Sequence, residues 1–153
     1  MSTTSSQRGR GRLLAVAAVG LAVSAAIAMA AEQSRHVRNR FWIKTDTQTS
    51  TVEPGPHEGT GKTTAYRYFD EVKDARVIFR KRALHKGASI GMHVLEHDEV
   101  YYVVSGRGEV TVDDTKRAVE PDTAIFMHEG ADVGIRQVGD ADLVVIVSYP
   151  PAD

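Results

Sequence analysis

Two histidines and three acids are concentrated in one short stretch of the sequence. The stretch is His93-Val94-Leu95-Glu96-His97-Asp98-Glu99. Imidazole and carboxylate groups are the side chains that most often transfer protons and hold transition metals. The chemistry that these side chains can perform depends on whether they lie on a helix or on a strand. Residues at a given spacing can share a face in one of these elements and lie on opposite faces in the other.

The spacing of His93, Glu96 and His97 also matches an inverted zinc-protease signature. That chemistry needs both histidines on one face of a helix, with the glutamate as general base. Gly91 upstream and the β-branched and aromatic run from Val100 to Val104 downstream favour strands joined by a turn. The sequence therefore argues against a protease of this kind.

A second motif, Gly59-Thr60-Gly61-Lys62-Thr63, is similar to the end of a phosphate-binding loop. The full pattern requires a glycine five residues before Gly61, where this chain has Pro56. It also requires an apolar strand before the loop and a helix after it, and the sequence predicts neither. We interpret the motif as a flexible polar loop.

Other polar residues are placed by the period of a strand, in which alternate side chains share a face. Tyr101 follows Glu99 by two residues and is predicted to face the same way, as a ligand contact or as a core tyrosine. Gln137 falls on an apolar face and is a candidate pocket residue. Arg80 and Arg82 share a face that could bind a carboxylate or phosphate, or else lie in water or against a second subunit.

Short strand patterns follow one another through the C-terminal part of the chain, separated by Gly, Asp and Ser turns. Their regular spacing predicts a β-sandwich or barrel, and no window after Ala31 has convincing helical periodicity. We expect strands at 66–69, 77–84, 92–95, 99–104, 109–112, 123–127, 133–138 and 143–149.

The N-terminal segment has the order of a secretory signal. Arg8, Arg10 and Arg12 precede an uncharged apolar run from Leu13 to Ala31, which contains the small-residue pattern Ala28-Met29-Ala30. The sequence predicts a signal peptide over residues 1–30, with cleavage after Ala30 and a periplasmic or secreted protein. The alternative is an uncleaved inner-membrane anchor, since a bilayer span needs about 20 apolar residues.

Residues 31–62 are predicted to be a polar arm or linker, and residues 63–153 the folded domain. The arm is interrupted by an apolar patch, Phe41-Trp42-Ile43, and by Pro54-Gly55-Pro56. The patch would suit a short strand docked on the domain or exchanged with a second subunit, so we expect a homodimer.

Composition excludes several classes of function. The chain has no cysteine, which excludes disulfides, thiolate nucleophiles and cysteine-based zinc sites. Its formal net charge is −1 even with the N-terminal arginines included, so the remainder is mildly acidic. That balance argues against a nucleic-acid partner and against a surface for anionic membranes.

The stretch from Gly87 to Gly106 resembles the first cupin motif. That motif is a Gly, five residues, His-x-His, three or four residues, Glu, six residues and Gly, and His93 and Glu99 fall in register with it. Leu95 occupies the place of the second histidine. The second cupin motif is degenerate: Pro121 and Gly130 are correctly separated, but other positions differ, including Asp122 for Gly, His128 for Pro and Val133 for His.

The resemblance implies an all-β fold, a single jelly-roll cupin barrel over roughly the last 90 residues, behind the signal segment. In cupins three histidines and one glutamate hold a divalent metal, and only His93 and Glu99 carry over. Either the site binds no metal, or His97 completes a set of two histidines and one carboxylate, which suits iron or manganese. Nickel and zinc are further candidates, and His128 is expected near the barrel mouth.

Two functions follow from these alternatives. The first is a binding protein that holds a small polar molecule in its barrel, with His93, Glu99, Tyr101, Gln137 and His128 as candidate pocket residues. The second is a metal-dependent enzyme, similar to cupin dioxygenases or sugar isomerases and epimerases, that uses His93, His97 and Glu99. The sequence favours the first, because Leu95 and Val133 cannot coordinate a metal.

Overall fold

The structure, a computed structural model, describes residues 41–151. The predicted signal segment and the first part of the predicted arm therefore lie outside the described residues. Between positions 41 and 151, no helix is long and apolar enough to cross a membrane. The elements in chain order are α1 (Asp46–Thr49), β1 (Ser50–Pro54), β2 (Lys62–Arg67), β3 (Ile78–Leu84), β4 (Ser89–Val94), β5 (Glu99–Ser105), β6 (Arg107–Val112), β7 (Thr115–Val119), β8 (Ala124–Met127), β9 (Asp132–Val138) and β10 (Leu143–Tyr149).

The strands form two antiparallel sheets. One sheet has six strands in the order β1-β2-β3-β10-β5-β8, and the other has four in the order β4-β9-β6-β7. Consecutive strands such as β4 and β5 lie in different sheets, so the chain crosses repeatedly between the two layers. This is the expected all-β jelly-roll fold, and the prediction of fold class is confirmed.

Alternation along the strands separates an interior from an exterior. In β5, Glu99, Tyr101 and Val103 are buried, whereas Val100 and Tyr102 between them are exposed. The same period places the inner side chains of β9 and β10 against each other between the sheets. The fully buried side chains at the centre of this core are Leu84, Val103, Val133, Ile135, Leu143 and Val145.

The six-stranded sheet begins earlier than the sequence indicates. β1 lies within the segment predicted to be a polar arm, and it pairs in register with β2, with Ser50 opposite Tyr66 and Pro54 opposite Lys62. β7, which the sequence also did not predict, pairs with β6 at the edge of the smaller sheet. The other eight strands overlap the predicted ones, with shifted ends.

Candidate functional site

A cavity of about 260 Å³ opens into the barrel next to the apolar core. Its floor is the inner face of the six-stranded sheet, and β4 and the loop between β1 and β2 cover it from the other side. Polar and charged side chains dominate the lining, in contrast to the core beside it. The lining residues used below are Glu53, His57, Arg67, Arg80, Arg82, His93, Glu99, Tyr101, Val147 and Tyr149.

Glu99, the first residue of β5, is a buried carboxyl group in this cavity, 8% exposed. Its Oε1 lies 3.2 Å from Nε2 of His97 in the turn just before it. Burial raises the pKa of Glu99 above its ordinary value, although His97, His93 and a hydrogen bond with Tyr101 favour the ionised form. A carboxyl group in this environment is suited to exchange hydrogen bonds or a proton with a ligand.

His93 faces the cavity because β4 contains an irregularity. Ile90 pairs with Ile135 and His93 with Val133, so β4 has one more residue than β9 between these two pairs. Such a β-bulge lets side chains three positions apart point to the same side. Nδ1 of His93 donates a hydrogen bond to the Gly91 carbonyl at 2.9 Å, and Nε2 has no hydrogen bond to another residue in the described part of the chain.

The loop between β1 and β2 contributes His57, whose ring stacks on that of His93. The ring centroids are 3.6 Å apart and the planes differ by 3°. His57 and Glu58 both have left-handed backbone conformations, with φ values of 53° and 60°. Adjacent non-glycine residues of this kind store strain, and such strain is concentrated at functional sites. Partial burial, then His93 and Arg82, lower the pKa of His57, which favours its neutral form.

Tyr101 lies on the cavity floor beside Glu99 on the same face of β5. It is 3% exposed, and burial followed by the charge of Glu99 raises its pKa far above the ordinary value. Its hydroxyl group therefore stays protonated and can donate a hydrogen bond. Tyr149, at the end of β10, stacks on the ring of His97 at 4.6 Å and holds that imidazole in place.

The opposite side of the floor carries three inward arginines, which we call the arginine cluster: Arg67, Arg80 and Arg82. Arg67 of β2 pairs in register with Arg80 of β3, and Arg82 follows on the same face of β3. Glu53 bonds Arg67 through both of its oxygens, at 3.0 and 2.7 Å, and lies 2.8 Å from Arg82. The sequence left the direction of Arg80 and Arg82 open, and the structure turns both inward.

Two of the predicted pocket residues do not line this cavity. Gln137 accepts a hydrogen bond from the Gly87 amide and donates to the carbonyls of Gly139 and Ala141, so its side chain joins two turns. This satisfied network is a structural role. The side chain of His128 is 82% exposed and lies 3.4 Å from Asp98, outside the cavity. His93, Glu99 and Tyr101 do lie together there.

The residues present do not fit a divalent metal. Among residues 41–151, no group of three or more His, Cys, Asp or Glu side chains is close enough to hold an ion. Leu95 and Val133, which occupy two ligand positions of the cupin motif, are buried apolar side chains, 3% and 0% exposed. His97 contacts Glu99 and Tyr149 and does not converge with His93 on one point. An open site normally needs at least three protein ligands.

Sequence reasoning missed Glu53, His57 and Arg67 as site residues. Glu53 and His57 lie in the segment predicted as an arm, where no periodic pattern assigns a face. Arg67 was inside an expected strand, but only its pairing with Arg80 shows that both point inward. Tyr149 could have been predicted to face inward, because it continues the alternation of Leu143, Val145 and Val147 along β10.

Comparison with known proteins agrees with this architecture. Residues 81–149 match a family model described as the cupin domain. No curated protein matches the sequence. Among solved structures, a predicted oxalate decarboxylase from Thermotoga maritima is 19% identical, with a TM-score of 0.66 over 72% of this chain and 100% of that one.

Two further structures show the same likeness. An RmlC-like cupin from Shewanella frigidimarina is 22% identical, with a TM-score of 0.58 over 73% of this chain and 92% of that one. The polyketide cyclase RemF from Streptomyces resistomycificus is 22% identical, with a TM-score of 0.60 over 72% and 79%. At these identities the structures show a shared fold. The family match and the shared fold together identify residues 81–149 as a cupin domain.

Proposed function

We propose that this protein is an exported small cupin that binds a small polar molecule in its barrel. The observation that carries the proposal is the cavity itself, in which His93, Glu99, Tyr101 and the arginine cluster surround one space beside an apolar core. Ligand sites combine an apolar frame with a few convergent polar groups in this way.

The volume limits the size of the ligand. The cavity has a volume of about 260 Å³. That is slightly below the range of about 300–1,000 Å³ typical of drug-sized ligands. The occupant is therefore a small metabolite.

Val147 offers a direct test, because it lies on the floor between the two polar sides. It pairs with Arg80 on β3 and with Tyr101 on β5. We expect Val147→Phe to fill the cavity and abolish the thermal stabilisation that sugars, polyols and hydroxy acids give the full chain. The fold should be retained at a cost of about 1–3 kcal/mol.

Ile146→Phe is the matched control, since Ile146 directly precedes Val147 in β10 and, by strand alternation, faces the outside of the sheet. A ligand present at about 100 times its Kd stabilises a protein by about 2.7 kcal/mol, which shifts the unfolding temperature by several degrees. Ile146→Phe should keep that shift. Equal ligand shifts in Val147→Phe and the parent chain would place binding elsewhere.

Export is supported by the basic, apolar and small-residue order of residues 1–30. The mature protein recovered from an expressing bacterial cell should begin at Ala31 and be released with the periplasmic fraction. Intact mass measurement distinguishes this from an uncleaved anchor, which would keep Met1–Ala30 and stay with the membrane fraction.

A further inference from the structure

The arginine cluster concentrates positive charge on one wall of the cavity. Arg67 and Arg80 are directly opposite each other on β2 and β3, an arrangement of like charges that destabilises a sheet unless anions compensate for it. The side chains of Arg67 and Arg80 are each 34% exposed, and that of Arg82 only 13%. Three guanidinium groups this close together, one of them on a mostly buried side chain, indicate a need for negative charge.

The carboxylates of the protein supply only part of that charge. Glu53 is shared between Arg67 and Arg82, so one carboxylate faces two guanidinium groups. Arg82 also donates to the hydroxyl group of Thr63 at 2.7 Å, which is a neutral partner. Asp70 pairs with Arg80 at 3.2 Å through an exposed contact. The cluster therefore has three guanidinium groups for two paired carboxylates among residues 41–151, and the third carboxyl group at the cavity, Glu99, lies on the opposite side.

Arg80 also has a donor without an acceptor. Its Nε is buried and has no hydrogen-bond partner among the described residues, whereas its Nη2 bonds both oxygens of Asp70. Leaving a buried donor unpaired is costly, and more so for a charged group. A negatively charged ligand oxygen at this wall would accept a hydrogen bond from Arg80 Nε and would balance part of the positive charge of the arginine cluster.

The opposite side of the cavity suits an uncharged polar group. Glu99 and Tyr101 lie on β5, which is separated from β3 by β10. Two strand spacings of about 4.8 Å place the two sides roughly 10 Å apart. Val147 lies between Arg80 and Tyr101 in the same cross-strand row, so the floor between the charged and the hydrogen-bonding side is apolar.

We propose that the ligand is a small hydroxycarboxylate whose carboxylate group binds the arginine cluster and whose hydroxyl groups face Glu99, Tyr101 and His93. This inference rests on the proposed function and adds the chemical class of the ligand. Guanidinium groups bind both carboxylate and phosphate in bidentate fashion. A carboxylate matches one uncompensated charge, whereas a phosphate monoester carries about −1.5 to −2 at neutral pH.

Calorimetric titration of the full chain with matched compounds tests the proposal without any mutation. Gluconate is compared with sorbitol, and glycerate with glycerol and with glycerol 3-phosphate. We expect each acid to bind about 10- to 100-fold more tightly than its neutral counterpart, as charge-assisted hydrogen bonds are the strong ones. We also expect glycerate to bind more tightly than the phosphate ester.

Two variants then locate the interaction, Arg82→Met and Arg80→Met. Each should remove most of the preference for the acid while leaving the weaker binding of the neutral partner. Arg117→Met on β7 is the control, because it makes the same substitution at an exposed arginine far from the cavity lining. Circular dichroism checks that each variant is folded. If one of the two variants does not fold, the other still tests the proposal.

The outcomes separate this inference from the proposed function. Equal binding of gluconate and sorbitol would overturn the carboxylate assignment and leave cavity binding intact. Tighter binding of glycerol 3-phosphate than of glycerate would assign the wall to phosphate and also overturn it. A preference for acids that survives in both arginine variants would contradict the location. If none of the five compounds binds, both the carboxylate assignment and the proposed function lose their support.

Discussion

At the scale of single residues, Glu53 holds the charged wall of the cavity together. Partial burial would raise its pKa, but hydrogen bonds and charge from Arg67 and Arg82 outweigh burial and hold the pKa below its ordinary value. A carboxyl group whose pKa is lowered by folding stabilises the protein above its unfolded pKa, which is about 4.3 for glutamate. That contribution is lost as the pH falls through the lower pKa of the folded state.

We therefore predict that Glu53→Gln lowers the free energy of unfolding by about 2 kcal/mol at pH 7, the range for hydrogen bonds to charged groups. The difference from the parent chain should begin to shrink as the pH falls below the unfolded pKa of about 4.3, and it should vanish below the lower folded-state pKa, where Glu53 is protonated in both states. Urea unfolding at a series of pH values measures both effects. Glu120→Gln, an exposed site, is the control. A constant difference at all pH values would contradict the assignment.

The hypothesis of a metal site also depends on single residues, namely His93, His97 and Glu99. We predict that the purified full chain binds iron, manganese, nickel and zinc well below one ion per molecule, since His93, His97 and Glu99 do not converge. Elemental mass spectrometry after exposure to each metal measures this. His93→Ala and His97→Ala should give the same low values. Near-stoichiometric metal in the parent chain that both variants lose would establish the site and overturn our account.

At the scale of elements, the loop between β1 and β2 closes over the cavity because β4 has a glycine beneath it. A Cβ atom at Gly91 would lie 1.8 Å from the His57 carbonyl oxygen, so no other residue fits there. The Gly91 amide also donates to the Pro56 carbonyl at 3.0 Å. This contact fixes the loop where the ring of His57 covers that of His93.

Gly91→Ala should therefore displace the loop and cost about 3 kcal/mol of unfolding free energy, the upper part of the range for overpacking. The control is Gly130→Ala, where an added Cβ meets nothing within 4 Å and only the positive φ is strained. That strain costs about 1–2 kcal/mol. Urea midpoints measure stability, and the His93 ring resonances report the loss of stacking. Unchanged resonances in Gly91→Ala would show that the contact does not position His57.

The strands that sequence predicts well are those with an apolar inner face. β5 and β10 alternate buried and more exposed side chains, and the sequence placed both with little error. β1 and β7 escaped prediction because they are edge strands with mostly polar, exposed side chains. Each of these two strands is stabilised by backbone hydrogen bonds to a single neighbouring strand. Backbone pairing of this kind leaves no periodic pattern of side chains in the sequence.

The site residues that could be predicted are those with a motif or a strand alternation in the sequence. His93, Glu99 and Tyr101 follow from motif register and strand alternation, and the structure brings them to one cavity. Gln137 is buried as expected, but it lies outside this cavity and hydrogen-bonds to turn carbonyls that become its neighbours only in the folded chain. His57 comes from a loop that carries no periodic signal at all.

Across the whole molecule, the interior of the barrel consists of a hydrophobic core and a polar cavity. Leu84, Val103, Val133, Leu143 and Val145 are fully buried and supply the hydrophobic stabilisation of the fold. The arginine cluster, Glu53 and Glu99 line the cavity beside this core. The polar groups that would contact a ligand are therefore separate from the side chains that maintain the fold.

A crystal structure of the protein with gluconate would show whether the cavity is the binding site. We expect gluconate above Val147, with its carboxylate group bonded to Arg80 and Arg82 and its hydroxyl groups near Glu99 and Tyr101. A groove on the outer face of the four-stranded sheet, lined by Thr60, Met92 and Arg136, is the competing location. Gluconate bound in that groove, with the cavity holding only water, would show that the cavity is not the binding site.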